Sequence, residues 1–366
     1  VANILALEPY YGGSHRAFLD GWRAHSRHGI TALTLRPHHW KWRMRHSALT
    51  FAQQVTSLGD LRAFDMIWCS SMVNLAEFLG TCPPALRGLP SAVYFHENQL
   101  AYPNQHDDPR DVHFAFTHWA SLCAATELWF NSNYNQTSLL DGLAALFQKM
   151  PDCRTFDRQR FVASSFRLCP GIDPLRPPEA RRPGALRIAW AARFEHDKGP
   201  DLLLAALRRF AASHRDFRLT VLGEQFGATP PAMAQLKAEF GEHLDHFGFE
   251  PDRARYIEHL QDADIFVSTS QHEFFGLAVM EAAACGCSLL LPRRLCYPEL
   301  FDVPRATTSV SPFYDNTAEG LHAALDGLAK LPPERLPRYA DVAHRYTWPN
   351  RALELDEAVD RCMTTR

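Results

Sequence analysis

Short apolar runs of strand character alternate with longer amphipathic runs along this chain, a pattern that predicts parallel sheets with helices on both faces. In the first half the strands are expected at residues 4–7, 30–35, 66–70, 92–96 and 127–131. Helices are expected between them, one capped by Ser14 and ending near Gly29, then 112–124 and 133–147. Proline and arginine break the rhythm over 151–183, which places a link between domains near 170–178. A second series follows, with strands at 187–191, 217–222 and 265–268 and an apolar run at 288–291. Its helices are expected at 201–212, 233–240 and 277–285, and 350–366 reads as a closing helix.

The expected fold class is therefore α/β, with two doubly wound domains in tandem. A chain of 366 residues exceeds the usual limit of a single core, and a cleft between two domains is a common place for a ligand. The domains are expected at 1–172 and 173–349, with the closing helix 350–366 packing back on the first. No apolar run approaches the roughly 20 residues that cross a bilayer. The run 1–7 is too short and too poor in basic flanks for a secretory leader. Nine cysteines, Cys153 among them, show neither CxxC pairs nor zinc-site spacing. They read as reduced thiols of a cytoplasmic protein, and neither a metal site nor a protein partner is expected.

Charge changes the picture by its distribution. The total is 38 basic against 41 acidic residues, or −3, which argues against a protein held to nucleic acid by charge alone. Yet residues 21–59 contain no Asp or Glu. They carry Arg23, Arg27, Arg36, Lys41, Arg43 and Arg45, five histidines, and Trp22, Trp40 and Trp42. Such a patch suits phosphate contact with base stacking, or else a solvated loop whose tryptophans cover the core.

Candidate chemistry collects at strand ends. The loop Glu8-Pro-Tyr-Tyr-Gly-Gly-Ser-His15 follows the first strand, and Gly12 and Gly13 let backbone approach an anionic or sugar ligand. His96-Glu97-Asn98-Gln99 follows the fourth strand at the edge where open α/β sheets bind ligands, although His96 alone would fit a structural role equally well. In the second domain Arg193 and Lys198 open the first strand-to-helix turn. They can clamp a diphosphate, unless Arg193 pairs with Glu195 or Asp197 on the surface. Gly223-Glu224 is a further candidate loop. Finally, Glu273 and Glu281 stand eight residues apart around a glycine. Phe275, Gly276 and Leu277 can offer amides to phosphate, and Glu281 lies two turns along an apolar helix where a lone carboxylate would be costly.

Arg193, Lys198, Glu273 and Glu281 in this spacing resemble the donor-site signature of the retaining glycosyltransferases of GT-B fold, two Rossmann-like domains facing a central cleft. The resemblance implies that Arg193 and Lys198 contact the donor diphosphate, Glu273 the transferred sugar and Glu281 the ribose. The opening I-L-A-L-E-P-Y-Y-G-G-S-H and the F-H-E-N-Q-L-A-Y-P segment ending at Pro103 resemble the tRNA-queuosine α-mannosyltransferase family. That likeness covers nearly the whole chain. It implies transfer of mannose from GDP-mannose to the cyclopentenediol of queuosine in the anticodon loop of aspartate tRNA, without metal and with retention. GDP-mannose would lie on the second domain with its mannose toward Gly12, Gly13 and His96, and the tRNA would meet Arg36, Lys41, Arg43 and Arg45. Selection of the base would rest on residues 247–250. The residues by themselves also admit a small-molecule, lipid-linked or polysaccharide acceptor, or a non-catalytic binder of sugar nucleotide or nucleic acid.

Overall fold

A computed structural model of the chain describes residues 1–102, 112–151, 155–225, 229–302 and 311–365. Pro103 and Cys153 lie outside them. The chain forms two compact units, one of Val1–Gly171 with Trp348–Arg366, the other of Ile172–Thr347.

Among the described residues unit 1 holds six parallel strands: β1 (Asn3–Glu8), β2 (Gly29–Thr34), β3 (Met66–Ser70), β4 (Ser91–Phe95), β5 (Glu127–Phe130) and β6 (Ser165–Arg167). Their order is β2-β1-β3-β4-β5-β6. β3, β4 and β5 are buried at every position and are apolar except at their end residues Ser70, Ser91 and Glu127, so they do not alternate. The order reverses between β1 and β3, and loops leaving that point at the C-terminal edge are the usual ligand site of such sheets.

The first helix, Gly13–His25, begins one residue before Ser14, so the expected cap is corrected. Its N-cap is Gly12, in extended backbone and without a side-chain cap. It also stops short of Gly29, because Gly29 already pairs with Asn3 in β2. Much of the acid-free stretch is helix, Trp40–Gln54. The closing helix, Trp348–Thr364, belongs to unit 1. Its Trp348 ring occupies the space above Gly21 and Gly171, where an added Cβ would meet it at 2.0 and 2.4 Å. Buried Asp356 then accepts hydrogen bonds from Trp22 Nε1 (3.1 Å), Ser26 Oγ (2.6 Å) and the Arg27 amide (2.8 Å).

Unit 2 holds β7 (Leu186–Ala191), β8 (Phe217–Leu222), β9 (Leu244–Gly248), β10 (Ile265–Val267), β11 (Ser288–Pro292) and β12 (Phe313–Tyr314), again parallel. The order is β12-β11-β10-β7-β8-β9, the doubly wound arrangement with its switch point between β7 and β10. Among the described residues no helix is long and apolar enough to cross a membrane.

Candidate active site

The loops after β7 and β10 meet at the switch point of unit 2. Gly199 makes the meeting possible. Its φ is +67°, and an added Cβ would lie 2.2 Å from the Thr269 carbonyl oxygen, so a side chain is excluded by both conformation and space. Thr269 Oγ1 donates to the Lys198 carbonyl at 2.7 Å and accepts from Trp190 Nε1 at 3.0 Å, which ties both loops to the core.

This fixes the Lys198 side chain, which is 8% exposed. Its Nζ donates to the His272 carbonyl at 2.7 Å and stands 3.4 Å from both Glu273 Oε2 and Asp197 Oδ2. The other oxygen of Glu273 accepts from the amides of Phe274 (3.1 Å) and Phe275 (3.5 Å). Burial opposes the Glu273 carboxylate, but Lys198, His272 and those two amides outweigh it and lower the pKa below the usual glutamate value. Glu273 is therefore an ionised acceptor at neutral pH, suited to sugar hydroxyls.

Gly276, with φ of +84°, caps the helix Leu277–Ala284, whose first amides have no intrahelical acceptor and carry the positive end of its dipole. An anion is stabilised there. The Phe275 ring instead packs edge-on against Tyr346, 5.6 Å between centroids, and its amide bonds Glu273. Of the three residues expected to face phosphate, Gly276 and Leu277 present the helix start.

Glu281 has the partner that its apolar helix requires. Oε1 accepts from Arg253 Nη2 at 2.5 Å and Oε2 from Tyr256 Oη at 3.0 Å. Arg253 and Tyr256 lie on the helix Arg253–Asp262. Neither stood out in the sequence, because the helix reads as an ordinary charged surface. Tyr256 also lines a cavity of about 210 Å³ at the ends of β7, β8 and β9, with Ala191, Leu222, Gly223, Glu224 and Phe249 among its walls. The candidate loop Gly223-Glu224 is thus part of this cavity. Arg193 is about half exposed and stands 3.1 Å from Glu195, the pairing considered as an alternative to a diphosphate contact.

In unit 1 the loop after β1 and the residue after β4 come together. Gly12 lies against Pro37, which an added Cβ would meet at 2.5 Å, and Gly13 has φ of +51° with no atom of the described residues within 4 Å of an added Cβ. His96 is buried beside Glu8 and His15, the two imidazoles 4.0 Å apart between centroids. Burial, and then the His15 charge, hold the His96 pKa well below its ordinary value. Burial also opposes the His15 imidazolium, yet Glu8 and Glu97 outweigh it and lift its pKa to about 10. Asn98 is structural: its Nδ2 donates to Asn135 Oδ1 at 2.9 Å, and Asn135 is itself fully buried.

The basic stretch divides its roles. Trp22 is in the core and Trp40 packs on Phe114, whereas Trp42 is 69% exposed. Lys41, Trp42 and Arg45 project together from one helix, with Arg36 exposed ahead of it. Arg43 is half-buried, and its Nε donates to the Arg36 carbonyl at 3.2 Å, a tether of the helix start.

Residues 3–169 match the family model described as tRNA-queuosine alpha-mannosyltransferase N-terminal, and residues 172–330 match glycosyl transferases group 1. A tRNA-queuosine alpha-mannosyltransferase of Drosophila melanogaster is 34% identical over 82% of this chain and 81% of its own length. A GDP-mannose:cellobiosyl-diphosphopolyprenol alpha-mannosyltransferase of Komagataeibacter xylinus is 28% identical over 66% of this chain and 62% of its own. Sucrose-phosphate synthase from Thermosynechococcus elongatus has a similar fold, with TM-score 0.73 and 13% identity over the whole of both chains. A UDP-forming trehalose-phosphate synthase from Burkholderia xenovorans, with TM-score 0.68 and 12% identity, covers 99% of each. The fold is GT-B, and the chain belongs to the tRNA-queuosine alpha-mannosyltransferase family of glycosyltransferases.

Proposed function

We propose that the chain transfers mannose from GDP-mannose to the cyclopentenediol of queuosine in the anticodon loop of aspartate tRNA, in the cytoplasm, with retention at the anomeric carbon. The observation that carries the donor half is the Lys198 ammonium held beside Glu273 at the switch point, next to a helix N-terminus. Relatives whose names include GDP-mannose support that donor. The tRNA-queuosine acceptor follows the Drosophila relative.

In this reading the diphosphate rests on the start of the helix Leu277–Ala284, with Lys198 and Arg193 offsetting the charge that develops as the nucleotide departs. Those cations are side chains, so departure of GDP needs no metal at the diphosphate. Arg193 exchanges Glu195 for the phosphate. Glu273 accepts hydrogen bonds from mannose hydroxyls, and Glu281, oriented by Arg253 and Tyr256, accepts them from the ribose. The base enters the cavity beside Tyr256. The leaving phosphate takes the acceptor proton as the hydroxyl attacks from the same face, so no covalent intermediate forms on the protein. Unit 1 handles the acceptor, with Gly12, Gly13 and His96 at its sheet edge and Lys41, Trp42 and Arg45 meeting phosphates and an unstacked base.

The test is direct. Purified protein is mixed with queuosine-bearing or queuosine-lacking tRNA and with GDP-mannose, GDP-fucose, UDP-glucose or UDP-galactose, and the nucleosides are weighed after digestion. A gain of one hexose on queuosine, with GDP-mannose alone, is expected. Transfer from a UDP-sugar, or none to queuosine, overturns the reading.

A further inference from the structure

Three side chains of unit 1 converge from separate parts of the chain. Glu8 ends β1, His15 lies in the first turn of the helix Gly13–His25, and His96 follows β4. One ligand atom from each lies within 4.8 Å of the other two. All three residues are buried: Glu8 is 0% exposed, His15 4% and His96 7%.

Their spacing suits ligands of one ion better than a closed chain of hydrogen bonds. His15 Nδ1 stands 3.1 Å from Glu8 Oε2, and His96 Nε2 stands 3.9 Å from the same oxygen. The longer separation exceeds any hydrogen bond, and His96 Nε2 is buried without a hydrogen-bond partner among the described residues. Atoms bound to one zinc at about 2.0–2.1 Å in tetrahedral geometry stand about 3.4 Å apart, between the two observed values. On its other side the His15 ring turns Nε2 toward Glu97 Oε2 at 3.4 Å. A carboxylate on the non-ligating nitrogen is the usual means of orienting a metal-bound imidazole. In place of the proton that His15 shares with Glu8, a dication would match the two carboxylate charges gathered there.

We propose that Glu8, His15 and His96 bind a divalent transition-metal ion of the zinc class, with Glu97 holding the His15 ring. Two imidazoles and one carboxylate favour Zn²⁺, Co²⁺ or Fe²⁺ over Mg²⁺, which prefers oxygen ligands and water. Three protein ligands leave a fourth position for water or a hydroxyl. The site uses no residue of unit 2, so it stands or falls apart from the donor reading. Local sequence spacing carries no sign of it, because 7 and 81 positions separate successive ligands.

His246, Glu250 and His259 also approach one another within 4.8 Å, but all three are partly exposed. Glu250 already accepts the Asp252 amide at 3.0 Å, and His246 Nε2 lies 3.1 Å from the Gly248 carbonyl. This second cluster serves as the control.

The full chain, stripped by chelator, is titrated with Co²⁺ by calorimetry and visible absorption, then with Zn²⁺ as competitor and with Mg²⁺. One Co²⁺ per chain is expected, with a ligand-field band that Zn²⁺ abolishes and Mg²⁺ leaves in place. Loss of a neighbouring orienting carboxylate typically weakens a metal site by about 10- to 100-fold, so Glu97→Gln falls in that range and His96→Gln loses about 100-fold or more. H246N with H259N leaves binding unchanged. Circular dichroism checks that each variant folds, and the wild-type titration decides the matter even where a variant does not. Absence of stoichiometric Co²⁺ on the wild type overturns the site. So does a band that survives in folded His96→Gln, or one with thiolate charge transfer from cysteine.

Discussion

The ammonium of Lys198 and the carboxylate of Glu273 stand 3.4 Å apart although 75 residues separate them in the chain. Gly199 brings them together by letting one loop press on the backbone of the other. Lys198 keeps the Glu273 carboxylate ionised and the contact aims both side chains, so the pair is set before a donor arrives. Lys198→Ala is expected to lower kcat by about 100- to 1000-fold, the usual effect of removing one group that stabilises developing negative charge. Glu273→Ala is expected to abolish measurable transfer while GDP still binds. Turnover near wild type in either variant, measured with queuosine-bearing tRNA, would remove the pair from the reaction.

Glu281 offers a sharper test of the nucleotide's orientation. Its carboxylate is held by Arg253 at 2.5 Å and Tyr256 at 3.0 Å, and hydrogen bonds to a charged group contribute about 1.5–3 kcal/mol. Glu281→Gln is expected to weaken GDP binding by about 10-fold or more. It should change the affinity for 2′,3′-dideoxy-GDP much less, since that ligand lacks the ribose hydroxyls. Calorimetry with both ligands checks this. An equal loss for both would mean that Glu281 supports the helix rather than the ribose.

Gly199→Ala addresses the scaffold beneath these groups. The new methyl would stand 2.2 Å from the Thr269 carbonyl oxygen in a left-handed conformation, so the loops must separate. Strain of this kind costs about 1–3 kcal/mol. Urea unfolding should register that loss, and donor affinity should fall with it. A variant with unchanged stability and activity would show that the contact is readily relieved.

Strands and many of the helices were legible because each carries its own signal in a few neighbouring residues. Met66–Ser70 and Phe217–Leu222 are apolar runs with clear ends, and the helix Asn133–Phe147 begins at a serine cap. β9 was hidden because Leu-Asp-His-Phe-Gly is half polar and lies beside a pocket rather than in the deep core. Among the site residues, Lys198, Glu273 and Glu281 were visible through spacing within one turn or loop. Arg253 and Tyr256 were not, because their pairing with Glu281 spans 28 and 25 residues and depends on packing between two helices. The same reason hid the Glu8, His15 and His96 cluster, which exists only once β1 and β4 lie in one sheet.

The basic helix makes a prediction about salt. Lys41 and Arg45 are exposed, and Trp42 stands out between them at 69% exposure. Reversing both charges with K41E and R45E should weaken tRNA binding and reduce the slope of log affinity against log salt by about 1.5–2, while GDP binding stays the same. Trp42→Ala should lower tRNA affinity by about 1–3 kcal/mol without changing the slope, because stacking carries no counterion term. Filter binding over a range of salt separates the two effects. Unchanged tRNA affinity in the charge-reversal variant would remove this helix from the tRNA surface.

His118 ties the stability of unit 1 to acid. It lies 1% exposed on the helix His113–Ala124, with the Phe95 ring 5.7 Å away and the Gln99 amide 3.5 Å from Nε2. Burial lowers its pKa to about 4, against a smaller opposing pull from the Glu97 charge. The unfolded chain takes up that proton near pH 6.5, so the folded state binds fewer protons between pH 6.5 and 4. Stability is therefore intact above pH 6.5 and falls as the pH drops toward 4. Between pH 7 and pH 5 this one group should remove about 2 kcal/mol from the unfolding free energy. His118→Phe keeps a ring of similar size and has no titrating nitrogen, so its loss over the same interval should be smaller by that amount. Urea unfolding of both proteins at the two pH values measures the difference. Parallel losses would mean that His118 keeps its charge, or reaches water, in the folded protein.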